Sequence, residues 1–194
     1  GAFAGDMGLT SRLSTADDCT EHQPRCLSEP TGGEPEVEDH IFDRVVLYSR
    51  TLAVPARRAA NDPEVLRGKA LFHGLRCGGC HVPQETTGAA ALPELENQLI
   101  WPYTDLLLHD MGPELADHRA VGEASGQEWK TPPLWGLGLV DEVGGHTRFL
   151  HDGRARSLEE AILWHGGEAT ASRDAYAALD KKDREALIRF LNSL

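Results

Sequence analysis

The sequence predicts a mainly α protein with an irregular N-terminal arm and a long loop between its helices. Three observations lead to this fold class. Apolar residues recur at helical spacing in several stretches, helix-capping residues precede those stretches, and strand-like alternation is scarce. With 194 residues the chain suits one domain plus an arm, since a domain averages about 150 residues. We expect residues 1–36 to form the arm and residues 37–194 the main domain.

The predicted arm is rich in turn-forming residues and poor in apolar ones. Within it, Cys19 and Cys26 lie close together along the chain. In an oxidising compartment a disulfide between them would compensate for the missing hydrophobic core. Two unpaired thiols are the alternative.

Two helices are predicted before the long loop. The first has one apolar face and ends before Pro55, because proline cannot continue a helix. The second begins at Asp62-Pro63, where a capping side chain precedes a proline in the first turn, and it runs into Cys77. The face of the first helix consists of Ile41, Val45, Tyr48 and Leu52.

Residues 82–156 show no sustained period and contain many prolines and glycines. A loop of this length is uncommon inside a domain unless it wraps something. A capping box then begins at Ser157, with Glu160 three residues later, and the short helix that follows stops at Gly166. Asp180 is predicted to cap a last amphipathic helix.

The composition excludes some partners. Nineteen Lys and Arg against 31 Asp and Glu give a net charge of -12, which argues against nucleic acid because a basic surface supplies most of that affinity. Cationic partners, divalent metals and neutral surfaces stay open. We expect no membrane-spanning helix, since no apolar run of about 18 residues occurs.

The segment Cys77-Gly78-Gly79-Cys80-His81 has the spacing of c-type haem attachment. Two thiols on one turn can add to the two vinyl groups of a porphyrin, and His81 then lies under the iron as proximal ligand. A zinc site would need a second Cys or His pair, for which Cys19 and Cys26 are poorly suited. A thioredoxin-like pair would need a βαβ pattern, which is absent. We therefore predict one covalent haem c.

Several residues are candidates for the other side of the iron. Met111 lies in a loop, and Met7 is the second methionine. His165 ends a short capped helix before two glycines, which would let the backbone approach the porphyrin closely. His146 and His151 are more typical of hydrogen-bonded structural histidines. The residues alone leave this choice open.

Several motifs resemble the C-terminal haem domain of bacterial di-haem cytochrome c peroxidases and of MauG, and most closely the di-haem oxidoreductase family, also labelled thiol oxidoreductase-like. The resemblance covers nearly the whole chain. It is carried by residues 51–55 (TLAVP), 101–106 (WPYTDL), 129–136 (WKTPPLWG), 149–153 (FLHDG) and 158–161 (LEEA).

The resemblance favours His165 over Met111 as the sixth ligand. In the relatives a Met or a Tyr occupies this position, after the helix that follows the turn at His151. A His/His iron has a lower potential than a His/Met iron. The chain departs from the family in carrying one haem motif instead of two, so it resembles the C-terminal portion of a longer protein.

Other residues acquire roles through the same comparison. Arg154 and Arg156 are the best-placed cations for the two haem propionates, with solvated surface charge as the alternative. The relatives and the acidity make a bound Ca²⁺ plausible, although no loop spells out a ligand set. The four tryptophans would cover the porphyrin or bridge towards the second haem.

The resemblance implies an electron-transfer domain of a di-haem peroxidase-like oxidoreductase. Its six-coordinate iron would relay electrons to or from a second haem, located in another domain or in a redox protein partner. No catalytic residue is assigned, and the chain alone is not expected to turn over peroxide. The alternatives are a stand-alone mono-haem electron carrier and a haem-scaffolded assembly subunit. Covalent haem also implies a periplasmic or otherwise extracytoplasmic location.

Overall fold

A computed structural model describes residues 2–194, apart from the side chain of residue 27. The predicted mainly α class is confirmed, because helices dominate and the strands are short and few. No helix in this described part of the chain has the length and hydropathy that crossing a membrane requires. The helices are α1 (Asp39–Thr51), α2 (Pro63–Gly74), α3 (Val140–Gly144), α4 (Leu158–Leu163), α5 (Thr170–Ala177) and α6 (Lys181–Leu191).

The chain forms two compact units, Gly1–Ala53 and Val54–Leu194. The first unit therefore extends beyond the predicted arm and includes α1. Its irregular part is held by Glu36, whose carboxylate accepts hydrogen bonds from the backbone N–H and the hydroxyl of Thr10. A disulfide joins Cys19 and Cys26, with their Cα atoms 5.8 Å apart.

The second unit is built on α2 and α6, which cross and share the hydrophobic core. Phe72 of α2 packs against Phe190 of α6, with ring centroids 5.3 Å apart. The helices approach closely because Gly68 has no side chain, and a Cβ there would lie 2.0 Å from the backbone oxygen of Ala186. The buried cluster around this crossing consists of Val65, Phe72, Tyr103, Leu158, Tyr176, Leu187, Phe190, Leu191 and Leu194.

Side-chain caps start three helices at the predicted residues. Asp62 accepts hydrogen bonds from the backbone of Glu64 and Val65 at the start of α2. Ser157 caps α4 and Asp180 caps α6 in the same way. Each cap satisfies backbone N–H groups that have no partner within the helix.

The long loop contains two small antiparallel ladders that the sequence did not indicate. Strand β1 (Glu85–Thr86) pairs with β2 (Leu99–Ile100), and β3 (Leu108–Asp110) pairs with β4 (Glu128–Lys130). Strands of two or three residues are too short to show alternating polarity. The backbone hydrogen bonds of these ladders hold parts of the long loop after Cys77–His81 in a defined conformation.

The α2–α6 crossing generates a stability prediction. Gly68→Ala should lower the free energy of unfolding by about 1–3 kcal/mol, because the added methyl group overlaps the backbone of α6. Gly74→Ala is the matched control, since a Cβ there meets no atom within 4 Å. It should leave the stability unchanged or raise it by up to about 1 kcal/mol. Urea unfolding measures both, and equal effects would contradict the close crossing.

Candidate functional site

The residues Cys77–His81 follow directly after α2. Arg76 has a left-handed backbone (φ 63°) that turns the chain out of the helix, and a single 3₁₀ turn spans Cys77–Gly79. The backbone N–H of His81 donates to the carbonyl of Cys77, which closes the motif. Both cysteines are free thiols on this one turn. Burial raises the pKa of Cys77 to about 11 and also raises the pKa of Cys80, so both thiols are protonated at neutral pH.

The His81 imidazole is oriented by a backbone carbonyl. Its Nδ1 lies 3.0 Å from the carbonyl oxygen of Tyr103, and since a carbonyl only accepts, Nδ1 must donate. The lone pair of the ring is then on Nε2. Burial lowers the pKa of His81 to about 4, which keeps the ring neutral. Neutral imidazole is the form that binds metals.

Tyr103 holds its carbonyl towards His81 through an unusual backbone conformation. Its φ of 54° is left-handed, which is uncommon for a bulky residue. The next residue fixes it, because Thr104 donates its N–H to the Val82 carbonyl and its hydroxyl to the Thr131 carbonyl. Strained residues of this kind cluster at functional sites.

His165 lies beside His81 and is oriented in the same way. Its Nδ1 donates to the carbonyl oxygen of Ala161 at 2.8 Å, and burial lowers its pKa. The ring centroids of His81 and His165 are 6.4 Å apart, with 48° between the ring planes. Each ring thus keeps Nε2 available while a carbonyl orients Nδ1, the arrangement usual for metal-ligating histidines.

The spacing of these rings fits one metal ion between them. Two metal–nitrogen bonds of about 2 Å, added to the half-widths of the rings, separate the centroids of opposed imidazoles by about 6 Å. The observed separation of His81 and His165 matches this value. His81, His165 and the two thiols on the adjacent turn are therefore the residues that could hold a haem.

Met111, the alternative sixth ligand, lies where its backbone packs against the glycines after His165. A Cβ on Gly166 would lie 2.7 Å from the Met111 carbonyl oxygen, and one on Gly167 would lie 2.1 Å from the Asp110 carbonyl oxygen. The sequence alone led to the expectation that these glycines allow close approach of a porphyrin. In the structure, the group that approaches them is the backbone of residues 110–112. Met7 lies in the first unit and is 60% exposed.

The two arginines expected at the propionates have protein partners. Arg154 is 2.6 Å from the Asp152 carboxylate, donates to the Glu114 carbonyl, and stacks its guanidinium 4.8 Å above the Trp164 ring. Arg156 pairs with Glu160 at 3.2 Å, and its side chain is 75% exposed. Their role at propionates therefore stays a prediction.

His146 and His151, the other two candidate histidines, make contacts typical of structural residues. His151 stacks on Trp129, with ring centroids 3.6 Å apart and only 13° between the planes. The Trp129 ring is fixed in turn, because its N–H donates to the Leu115 carbonyl. Nδ1 of His146 accepts from the backbone N–H of Arg148.

One cluster beside Cys80 was missed by the sequence analysis. His109 Nε2 is 2.9 Å from the Asp105 carboxylate and Nδ1 is 2.9 Å from the Glu168 carboxylate. Since carboxylates only accept, both ring nitrogens donate, and the hydrogen bonds to Glu168 and then Asp105 raise the pKa of His109. Cys80 Sγ lies 3.6 Å from Nδ1.

This cluster is also where a different metal could bind. Cys80, Asp105 and His109 each offer a donor atom, and these atoms lie within 4.8 Å of one another. A free Cys80 would make the group a candidate for a thiolate-binding metal. A Cys80 joined to a porphyrin would have lost its thiolate, which leaves Asp105, His109 and Glu168 as an ion-pair network.

The network generates a pH prediction. The raised pKa of His109 contributes stability below its unfolded value of about 6.5, which is lost as pH rises through the folded pKa. The lowered pKa values of Asp105 and Glu168 contribute stability above about pH 4, which is lost as pH falls. His109→Gln should therefore reduce Tm most between about pH 4.5 and 6.5.

Thermal unfolding from acid to alkaline pH measures this effect. His22→Gln is the control, because the His22 side chain is 87% exposed in the first unit. A Tm difference for His109→Gln that stays constant across the range would contradict the charged network.

Comparison with known proteins gives one match. Residues 2–194 match the model of a family described as "Di-haem oxidoreductase, putative peroxidase". Neither a curated protein nor a solved structure matches the chain significantly. The family match supports haem binding and a redox role, and it confirms the resemblance seen in the sequence. The chain belongs to the di-haem oxidoreductase family.

Proposed function

We propose that the chain is a haem c electron-transfer domain of a di-haem, peroxidase-like oxidoreductase. The observation that carries this proposal is the pair of half-buried imidazoles of His81 and His165, whose ring centroids are 6.4 Å apart, together with the two free thiols on the turn that precedes His81. In this reading α2, α6 and the long loop enclose the haem as in cytochrome c. When bound, the haem iron supplies a one-electron redox couple.

Attachment of the haem rests on Cys77 and Cys80. Each thiol would add across one vinyl group, with sulfur bonding to one carbon and the proton going to the other, so the attachment would need no leaving group and no oxidant. The raised pKa values of both thiols leave that proton available on sulfur at neutral pH. Both thioethers then anchor the porphyrin next to His81.

The two histidines would determine how the haem iron is ligated, and this ligation would determine what the domain can do. Carbonyls of Tyr103 and Ala161 accept from Nδ1 of His81 and His165, which fixes both rings and raises the basicity of Nε2. If both histidines held the iron, it would have no open position for peroxide, and the chemistry supplied by the haem would be electron transfer to or from a second haem. Two imidazoles also favour a low potential.

The second candidate function is a stand-alone mono-haem electron carrier. It is favoured by the single Cys-x-x-Cys-His motif, at Cys77–His81, in a family described as di-haem. Native mass and haem stoichiometry separate the two functions, because two haems per assembly support the oxidoreductase. An assembly subunit with a purely structural haem would show no electron exchange with redox partners.

We also propose an extracytoplasmic location, because covalent haem is assembled outside the cytoplasm and the Cys19–Cys26 disulfide suits an oxidising compartment. Arg154 and Arg156 at the propionates and a bound Ca²⁺ remain predictions.

The attachment prediction tests the proposal directly. Replacing Cys77 and Cys80 by Ala should abolish covalent haem, as read by intact mass and by a pyridine haemochrome spectrum. Replacing Cys19 and Cys26 by Ser is the control and should leave one haem per chain. A folded wild-type protein that carries zinc and no haem would refute the proposal.

The ligand prediction concerns His165. His165→Ala should open the iron, giving a high-spin spectrum and binding of cyanide or carbon monoxide, whereas the wild-type protein stays low-spin and inactive towards peroxide. Met111→Ala is the control and should leave the spectrum nearly unchanged. A spectrum that depends on Met111 and is indifferent to His165 would transfer the sixth ligand to Met111.

A further inference from the structure

A cavity of about 370 Å³ lies in the second unit, lined by the segment before α2, by α2 itself and by the loop around β2. Its volume lies within the range of small-molecule sites, and a cavity of about 150 Å³ already holds benzene. Its walls are mostly apolar and include the aromatic side chains of Trp101 and Trp135.

Two cations face this apolar space. Arg57 and Lys69 both line the cavity, and its lining contains no Asp or Glu. A pair of cations beside aromatic walls favours an anion that has an apolar body.

The Arg57 guanidinium is incompletely satisfied. Its Nη2 is one of three buried side-chain nitrogen or oxygen atoms that lack a hydrogen-bond partner within residues 2–194. Its Nε reaches the Ser193 hydroxyl only at 3.4 Å, and its central carbon lies 5.1 Å from the Phe190 ring. A buried charged donor without an acceptor costs free energy, which a bound carboxylate would remove.

The cavity is also connected to the haem site. Tyr103 lines the cavity, and its carbonyl accepts the hydrogen bond from Nδ1 of His81. A negative charge in the cavity would therefore lie next to Tyr103, the residue whose carbonyl orients His81, the proposed proximal ligand.

We propose that this cavity binds a carboxylate, held by Arg57 and Lys69, with its apolar body against Trp101 and Trp135. Two sources carry this chemistry. One is a free aromatic or aliphatic carboxylic acid, and the other is a propionate of the haem, which rests on the proposed function. The second source would assign a propionate to cations other than Arg154 and Arg156.

The first experiment is a calorimetric titration of the purified, haem-loaded protein with benzoate. Wild type should bind benzoate, and Arg57→Gln and Lys69→Gln should each weaken binding about tenfold or more, the loss expected for one charge-assisted hydrogen bond. Benzamide, which has the same shape without the charge, should bind at least as weakly as benzoate binds these variants. Arg189→Gln and Lys181→Gln are the controls, because both side chains are exposed on α6.

The second experiment distinguishes the haem propionate. If the wild type does not bind benzoate, Arg57→Gln should change the pH dependence of the midpoint potential while Arg189→Gln does not. These results together would show that the carboxylate in the cavity is a haem propionate. Lys69→Gln gives the same readout from α2 if the Arg57 variant does not fold.

Two outcomes would overturn the proposal. One is equal benzoate binding by wild type and Arg57→Gln, and the other is an absence of both benzoate binding and any shift in the pH dependence. A missing haemochrome spectrum would instead refute the haem assignment, and the benzoate titration of the same protein would still test the cavity.

Discussion

The candidate site depends on two half-buried imidazoles whose Nδ1 atoms are fixed by backbone carbonyls. His81 and His165 donate from Nδ1 to the carbonyls of Tyr103 and Ala161, so each ring carries its lone pair on Nε2. Neutral imidazoles oriented in this way are suited to binding a metal. The left-handed backbone of Tyr103 and the short helix α4 both serve to position these carbonyls.

The hydrophobic core and this site share residues, so the fold and the ligation support each other. Phe72 lies 5.8 Å from Tyr103 and 6.4 Å from His81, measured between ring centroids, and it also contacts Phe190. The close crossing of α2 and α6 at Gly68 therefore belongs to the same packed region as the turn that follows α2. A shift of α2 along α6 would move the proximal ligand together with the core.

The sequence predicted the parts of this arrangement that are encoded locally. Caps such as Asp62 and Ser157 act within three residues, and the spacing of Cys77–His81 is fixed by its chemistry. The Asp105–His109–Glu168 network could not be predicted, because Glu168 is 59 residues away from His109 along the chain. The sequence indicated correctly that the glycines after His165 allow a close approach. Only the fold reveals that the backbone of Asp110 and Met111 makes this approach. The placement of Arg154 over Trp164 likewise depends on tertiary contacts.

The charges near the Cys77 and Cys80 thiols would lower the redox potential of a bound haem, as the two histidines would. Asp105 and Glu168 together outweigh the single positive charge of His109, so the cluster beside Cys80 is net negative. Negative charge stabilises ferric over ferrous iron and lowers the potential, as bis-histidine ligation also does. Under the proposed function, an iron at low potential would be suited to giving electrons to a second haem.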